Sequence, residues 1–170
     1  MHEDYFSYAN GKLYWVLRNE ESFKTKRGYS VHKNKYAGKE AGNIGRNGYR
    51  YVRVYGKLLL AHRIIWEMFN GPIPEGMEVD HIDTNPSNND ISNLRLATSS
   101  NNKWNMNIPS HNTSGFKGVS LFKATGKYEA YIKFNGRKIH LGFFDTPELA
   151  HEAYKLAADK MFMEFSNHGN

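Results

Sequence analysis

There is no cysteine among the 170 residues. This excludes disulfides and thiolate-held zinc, permits a reducing compartment, and leaves hydrophobic packing to hold the fold. Nor does any apolar run approach the ~20 residues of a membrane span, so no membrane partner is expected. The first residues, Met1-His2-Glu3-Asp4, are acidic and polar, unlike a signal peptide. A cytoplasmic protein with room for two or three small domains is expected.

What is present is a formal charge of +6, unevenly spread. Residues 1–57 carry twelve Lys and Arg against five Asp and Glu. Residues 58–110 carry three against six, and residues 111–170 eight against six. An acidic centre between basic flanks suits a site that takes a divalent cation and a polyanion together. An ordinary solvated surface would show the same totals.

Along the chain, Leu13–Leu17 reads as a strand after an Asn10-Gly11 turn. The glycine-punctuated basic stretch that follows, Gly28 to Gly48, reads as loop. Tyr49–Val54 is a strand, Tyr55-Gly56 a tight turn and Lys57–Leu60 the return. Ile64/Ile65 and Met68/Phe69 recur at helical spacing until Asn70-Gly71-Pro72 stops the helix. Met77-Glu78-Val79 leads into an Asp/Asn-rich loop, and Thr98 or Ser99 can cap a helix to about Asn107. The order strand, loop, strand, helix makes a ββα unit, with Asp80-His81 on the first strand, Asn93 in the loop and Asn102 on the helix.

After a polar, breaker-rich linker at 109–115, a strand covers Phe116–Phe122. Tyr128–Phe134 alternates, Asn135-Gly136 signals a hairpin, and Arg137–Phe144 returns. Thr146-Pro147-Glu148 opens a helix with the apolar stripe Leu149, Ala150, Ala153, Tyr154 and Ala157. Ile132, Phe134, Ile139 and Leu141 are expected under that helix. On the opposite face Lys133 faces Lys138, an unfavourable like-charge pair that a bound phosphate would relieve, unless the two lysines splay into solvent. The fold class expected is α+β.

Asp80-His81 with two nearby amides has the chemistry of phosphodiester hydrolysis. A neutral imidazole is a competent base near pH 7. A carboxylate and an amide oxygen suit Mg²⁺ or Mn²⁺, which offsets phosphate charge and assists the leaving oxygen. Asp-His alone is a common dipeptide, and Asn-rich loops are usually turns.

The stretch Val79-Asp80-His81-Ile82-Asp83, Asn89, Asn93-Leu94-Arg95 and Asn101-Asn102 resembles the HNH nuclease motif, in the phage homing-endonuclease branch whose last position is Asn. Upstream, Asn47-Gly48-Tyr49, Leu60-Ala61-His62-Arg63-Ile64-Ile65-Trp66, Phe69-Asn70-Gly71 and Ile73-Pro74 resemble the same branch, so the likeness covers roughly residues 47–105. It implies His81 as general base, Asn93 bonding across the loop to orient it, and Asp80 and Asn102 as ligands of one Mg²⁺ or Mn²⁺. Asn101 competes with Asn102. No structural zinc is expected. His62 is either a phosphate contact or a packed residue at a helix start. His2, His32, His111, His151 and His168 are expected on the surface. The products implied carry 5′-phosphate and 3′-hydroxyl ends.

Gly118-Val119, Tyr128-Glu129-Ala130, Ile132-Lys133, Leu141-Gly142-Phe143-Phe144-Asp145-Thr146 and Ala150, Ala153-Tyr154, Ala157-Ala158 resemble the APETALA-type DNA-binding domain. Such domains lay a three-stranded sheet in the major groove. The expected organisation is a basic β region (1–57), a ββα-metal core (58–108), a linker (109–115) and an APETALA-like domain (116–166). The expected partner is double-stranded DNA, met by Arg50, Arg53, Arg63, Lys117, Lys123, Tyr131, Lys133, Arg137, Lys138 and His140. A phage protein acting in the bacterial cytoplasm as a monomer or weak dimer is implied. Two alternatives stay open: a DNA-binding regulator with a vestigial centre, and a non-specific or RNA-degrading nuclease.

Overall fold

Asn10 and Gly11 both take positive φ, 48° and 73°, the geometry of a two-residue hairpin turn. They join strand β1 (Phe6–Ala9) to β2 (Lys12–Trp15), antiparallel, with Phe6 and Leu13 turned into the core. The computed structural model describes residues 2–54 and 56–169. These form two compact units, one up to Leu96 and one from Ala97 onward.

In the first unit the stretch expected as loop contains a short helix, α1 (Lys26–Val31), which runs on as one wide π turn, His32–Tyr36. Thr25 caps it, its Oγ1 accepting from the Gly28 amide at 3.0 Å. The helix forms because His32 is buried, contrary to the surface position expected, with Nε2 2.8 Å from the Val16 carbonyl. Next come β3 (Asn43–Ile44), β4 (Arg50–Val54) and β5 (Lys57–Leu60), a three-stranded sheet in that order. In the expected turn after β4, Tyr55 lies outside the described residues. Gly42, at φ 82°, must be glycine, because a Cβ there would meet the Tyr51 carbonyl oxygen at 2.3 Å.

Helix α2 (Ala61–Asn70) buries Ala61, Ile64 and Ile65, as its spacing requires, and ends at Gly71. One core takes Phe6, Leu13, Ala41 and Val52 from before residue 57 and Ile64, Ile65, Val79 and Leu94 from after it. The boundary expected at residue 57 therefore does not divide the packing. Strands β6 (Met77–His81) and β7 (Leu94–Thr98) pair as a two-stranded sheet, with a 3₁₀ turn at Ile91–Asn93 just before β7.

In the second unit, α3 (Ser99–Asn105) starts at a Thr98 cap and stacks Trp104 on Phe162, ring centroids 4.6 Å apart. The segment expected as a linker is an ordered turn: Asn112 Oδ1 accepts from the Gly115 amide at 2.9 Å, and Ser114 Oγ donates to the Val119 carbonyl at 2.8 Å. Strands β8 (Val119–Phe122), β9 (Lys127–Phe134) and β10 (Arg137–Phe144) form an antiparallel sheet in the order β10-β9-β8. Helix α4 (Pro147–Phe162) begins at a Thr146 cap and buries Ala150, Tyr154, Ala158 and Phe162 toward Val119, Ala130 and Ile132. The α+β class is as expected. Two expected facing residues differ: Leu149, placed in the stripe of α4, is 50% exposed, and on the sheet Ile139 departs as well. The register shifts between His140 and Gly142, and Ile139, expected in the core, is 37% exposed.

Candidate active site

Strand β6 ends in three buried residues in succession, Val79, Asp80 and His81, because both of its faces are covered. Val79 joins the core; Asp80 is 6% exposed and His81 4%. Buried polar groups need partners. His81 has Asn89, whose Oδ1 lies 2.9 Å from Nε2. Asp80 has Arg95 on β7: both Nε and Nη2 lie 3.0 Å from Oδ2.

Two more rings wall the imidazole. His62, at the start of α2, meets it edge-on with centroids 4.9 Å apart, and Tyr49 lies 5.8 Å away. His62 is itself buried, so of the two readings from sequence the packed one describes its position. Burial, and then the His81 and Arg63 charges, drive His62 down to about 3, so it is neutral at physiological pH. Its Nδ1 is buried without a hydrogen-bond partner among the described residues. Burial and the nearby Asp80 carboxylate push the Tyr49 hydroxyl up.

Asn93 organises the loop rather than touching the imidazole. Its Oδ1 accepts from the Asp83 amide at 3.1 Å, and its Nδ2 donates to Asp83 Oδ1 and the Asn88 carbonyl, both at 2.9 Å. Its own carbonyl accepts from Ile82 at 2.9 Å. Asn93 thus bonds across the loop, while the amide that meets the His81 ring is that of Asn89. Asn89 and Arg95 stood in the motif without an assigned role. The available signal for Arg95 was its sign: it is one of only three basic residues between 58 and 110. Asn102 lies on α3, in the second unit. Asn101 beside it is occupied by the cap, its amide 3.2 Å and its Oδ1 2.8 Å from Thr98 Oγ1.

Residues 59–104 match the family model described as HNH endonuclease. Protein 3.8 of Escherichia phage T7 is 40% identical over 94 residues, spanning 55% of this chain and 78% of that protein. An uncharacterized HNH endonuclease, L560, of Acanthamoeba polyphaga mimivirus is 37% identical over 124 residues, 72% of this chain and 63% of that one. The chain belongs to the HNH endonuclease family. A solved structure titled for DNA binding and cleavage by the HNH homing endonuclease I-HmuI is similar at 20% identity and a TM-score of 0.41, covering 93% of this chain and 85% of that one. The AP2-like ethylene-responsive transcription factor TOE2 of Arabidopsis thaliana is 32% identical over 81 residues, 48% of this chain and 17% of that protein. This is consistent with a C-terminal AP2 domain.

Several cations expected to meet DNA have partners inside this HNH endonuclease. Arg50 is paired with Glu40 at 2.8 Å and donates to the Gly42 carbonyl at 2.9 Å, so it braces the N-terminal sheet. Lys117 has its ammonium on the carbonyls of Trp104, Met106 and Asn167, at 2.8, 2.5 and 2.9 Å, and burial lowers it to about 8. It ties the end of α3 to the C-terminal tail. Lys133 and Lys138 face each other in the register expected, yet Lys138 lies 2.9 Å from Glu129 and over the Tyr131 ring at 4.2 Å. Glu129 also takes His140 Nδ1 at 3.2 Å. A carboxylate already relieves the lysine pair, so the pair does not by itself call for a phosphate. Arg53 donates at 3.4 Å to the Gly56 carbonyl. Arg53, Arg63, Lys123, Lys133 and Arg137 are exposed.

Among the described residues no group of three or more His, Cys, Asp and Glu is gathered to hold a metal. No helix among them is long and apolar enough to cross a membrane.

Proposed function

We propose that this chain is a homing-type endonuclease that hydrolyses phosphodiester bonds of double-stranded DNA, with His81 as general base, leaving 5′-phosphate and 3′-hydroxyl ends. The observation that carries it is the fixed imidazole. A carbonyl oxygen only accepts, so with Asn89 Oδ1 at Nε2 the proton sits on Nε2 and the lone pair on Nδ1. Nδ1 is then the atom that takes the proton from an attacking water. Asn89 holds the ring, Asn93 holds the loop carrying Asn89, and Arg95 holds Asp80.

The donor chemistry fits a hard divalent cation: a carboxylate oxygen from Asp80 and, by the sequence motif, an amide oxygen from Asn102. Of the two, the motif position falls on Asn102; Asn101 Oδ1 accepts from the Thr98 hydroxyl. When bound, Mg²⁺ or Mn²⁺ offsets phosphate charge and stabilises the departing 3′ oxygen. Arg53, Arg63, Lys123, Lys133 and Arg137 are the exposed cations assigned to the DNA backbone, with Tyr131, Lys138 and His140 on the C-terminal sheet. The cut is a nick or a double-strand break, made by a monomer or a weak dimer. The site of action is the cytoplasm of a phage-infected bacterium.

The test is plasmid cleavage with Mg²⁺ or Mn²⁺, wild type against His81→Ala. Metal-dependent nicking or linearisation that the variant loses, by about 10²-fold or more, is expected. Tight DNA binding without cleavage in the wild type would instead make the protein a regulator with a vestigial centre. Preferential cutting of RNA would assign a different substrate.

A further inference from the structure

Residues 24–39 contain Lys24, Lys26, Arg27, Lys33, Lys35 and Lys39 and no Asp or Glu. All six are exposed. Among the described residues none of the six is paired with a carboxylate. Other cations do find acids: Lys12 and Arg50 share Glu40, Lys127 meets Asp145 and Lys138 meets Glu129. The stretch is thus a concentrated positive field of six cations without salt bridges among the described residues, with Glu20 and Glu21 just before it and Glu40 just after.

This field sits on an ordered element. Thr25 caps α1, and the π turn that follows is pinned by His32 against the Val16 carbonyl. The His32 ring packs between Trp15, Phe23 and Tyr36, at centroid distances of 6.2, 5.1 and 6.4 Å. The far end is stitched to β2: Gly38 donates to the Trp15 carbonyl at 2.7 Å, and Trp15 donates to the Lys39 carbonyl at 3.0 Å. Lys33 and Lys35 lie 6.0 and 5.8 Å from the rings of Tyr29 and Tyr36. A binding partner would find these charges arranged beforehand, with little of the ordering cost a loose basic tail incurs.

We infer that this anchored segment, residues 24–39, is a docking surface for the DNA phosphate backbone, built from residues other than those of the Asp80–His81 centre and the C-terminal sheet. The inference rests on the reading that the chain acts on DNA. Cations without counter-charges suit a polyanion whose condensed counterions they release. Contacts to phosphate position the duplex and carry no base information, so the surface adds affinity irrespective of base sequence. A membrane is the poorer fit. A helix of six residues offers little area to an interface, and its inward anchor His32 is spent on the hairpin.

The full chain is compared with two triple variants, Lys24→Gln/Lys26→Gln/Arg27→Gln and Lys33→Gln/Lys35→Gln/Lys39→Gln. Affinity for a random-sequence duplex is measured by anisotropy between about 50 and 200 mM salt. Each triple should lower the slope of log K against log salt by about 2 to 3, with the same loss on every sequence. Should a triple melt early, Lys24→Gln and Lys33→Gln singly should each lower it by about 0.9. Wild-type slope and affinity in folded variants would overturn this inference alone. A wild type without salt-dependent DNA affinity would overturn the DNA reading along with it. Phosphatidylserine vesicle binding that the triples lose, with DNA slopes unchanged, would assign the surface to membranes and overturn the inference too.

Discussion

Asn89 Oδ1 lies 2.9 Å from His81 Nε2, both side chains buried, eight positions apart across the Asp/Asn loop. This bond sets which imidazole nitrogen carries the proton. Asn89→Ala should therefore slow cleavage by about 10- to 100-fold while DNA affinity holds. Asn89→Asp should move the pH profile. A carboxylate beside the ring favours imidazolium, so the acid limb of kcat should shift to higher pH. A rate loss in Asn89→Asp with the limb unmoved would show that Asn89 does not act through His81.

The Asp80–Arg95 pair predicts stability as well as chemistry. Both side chains are largely buried, at 7% and 13% exposure, so removing one partner takes a counter-charge from a buried charge. Arg95→Met should cost about 3–5 kcal/mol in urea unfolding. Added Mn²⁺ should recover more stability in the variant than in wild type, because a bound cation then replaces the missing guanidinium. Equal recovery in both would remove Asp80 from the ion's ligands.

His62 makes stability sensitive to acid. In the unfolded chain its imidazole protonates near the ordinary 6.5, while in the folded chain burial holds it to about 3. Between those values the unfolded state binds the extra proton, so this contribution is complete above about 6.5 and is lost as pH falls toward 3. His62→Gln should be less stable than wild type at pH 7, and the gap should narrow at pH 4. A gap that stays constant with pH, measured by thermal melts, would mean that His62 titrates normally.

Much of the fold was legible because it follows local rules. Asn10-Gly11 and Asn135-Gly136 both turn with positive φ. The spacing Ile64/Ile65 and Met68/Phe69 fits a helix, of which Ile64 and Ile65 are buried and Phe69 is exposed, and Thr146-Pro147 could only start one. Helix α1 was hidden, since Gly28, Ser30 and Val31 promise little helix within six residues and its anchor is a carbonyl sixteen positions away. The lysines that look alike in sequence also parted company: Lys117 is bound by three carbonyls, while Lys133 stays exposed.

The sequence by itself determined the order of strands and helices, the turns between them, and the placing of Asp80-His81 on a strand ahead of an amide-rich loop. These depend on backbone periodicity and turn chemistry, which act over a few residues. Only the tertiary structure decided that Asn89 meets His81 while Asn93 bonds across the loop, that Arg95 takes Asp80, and that His32 leaves the surface. Asn89 and Asn93 are chemically identical four positions apart. What separates them is which one the folded loop turns inward, and the burial of polar groups that must each find a partner settles that.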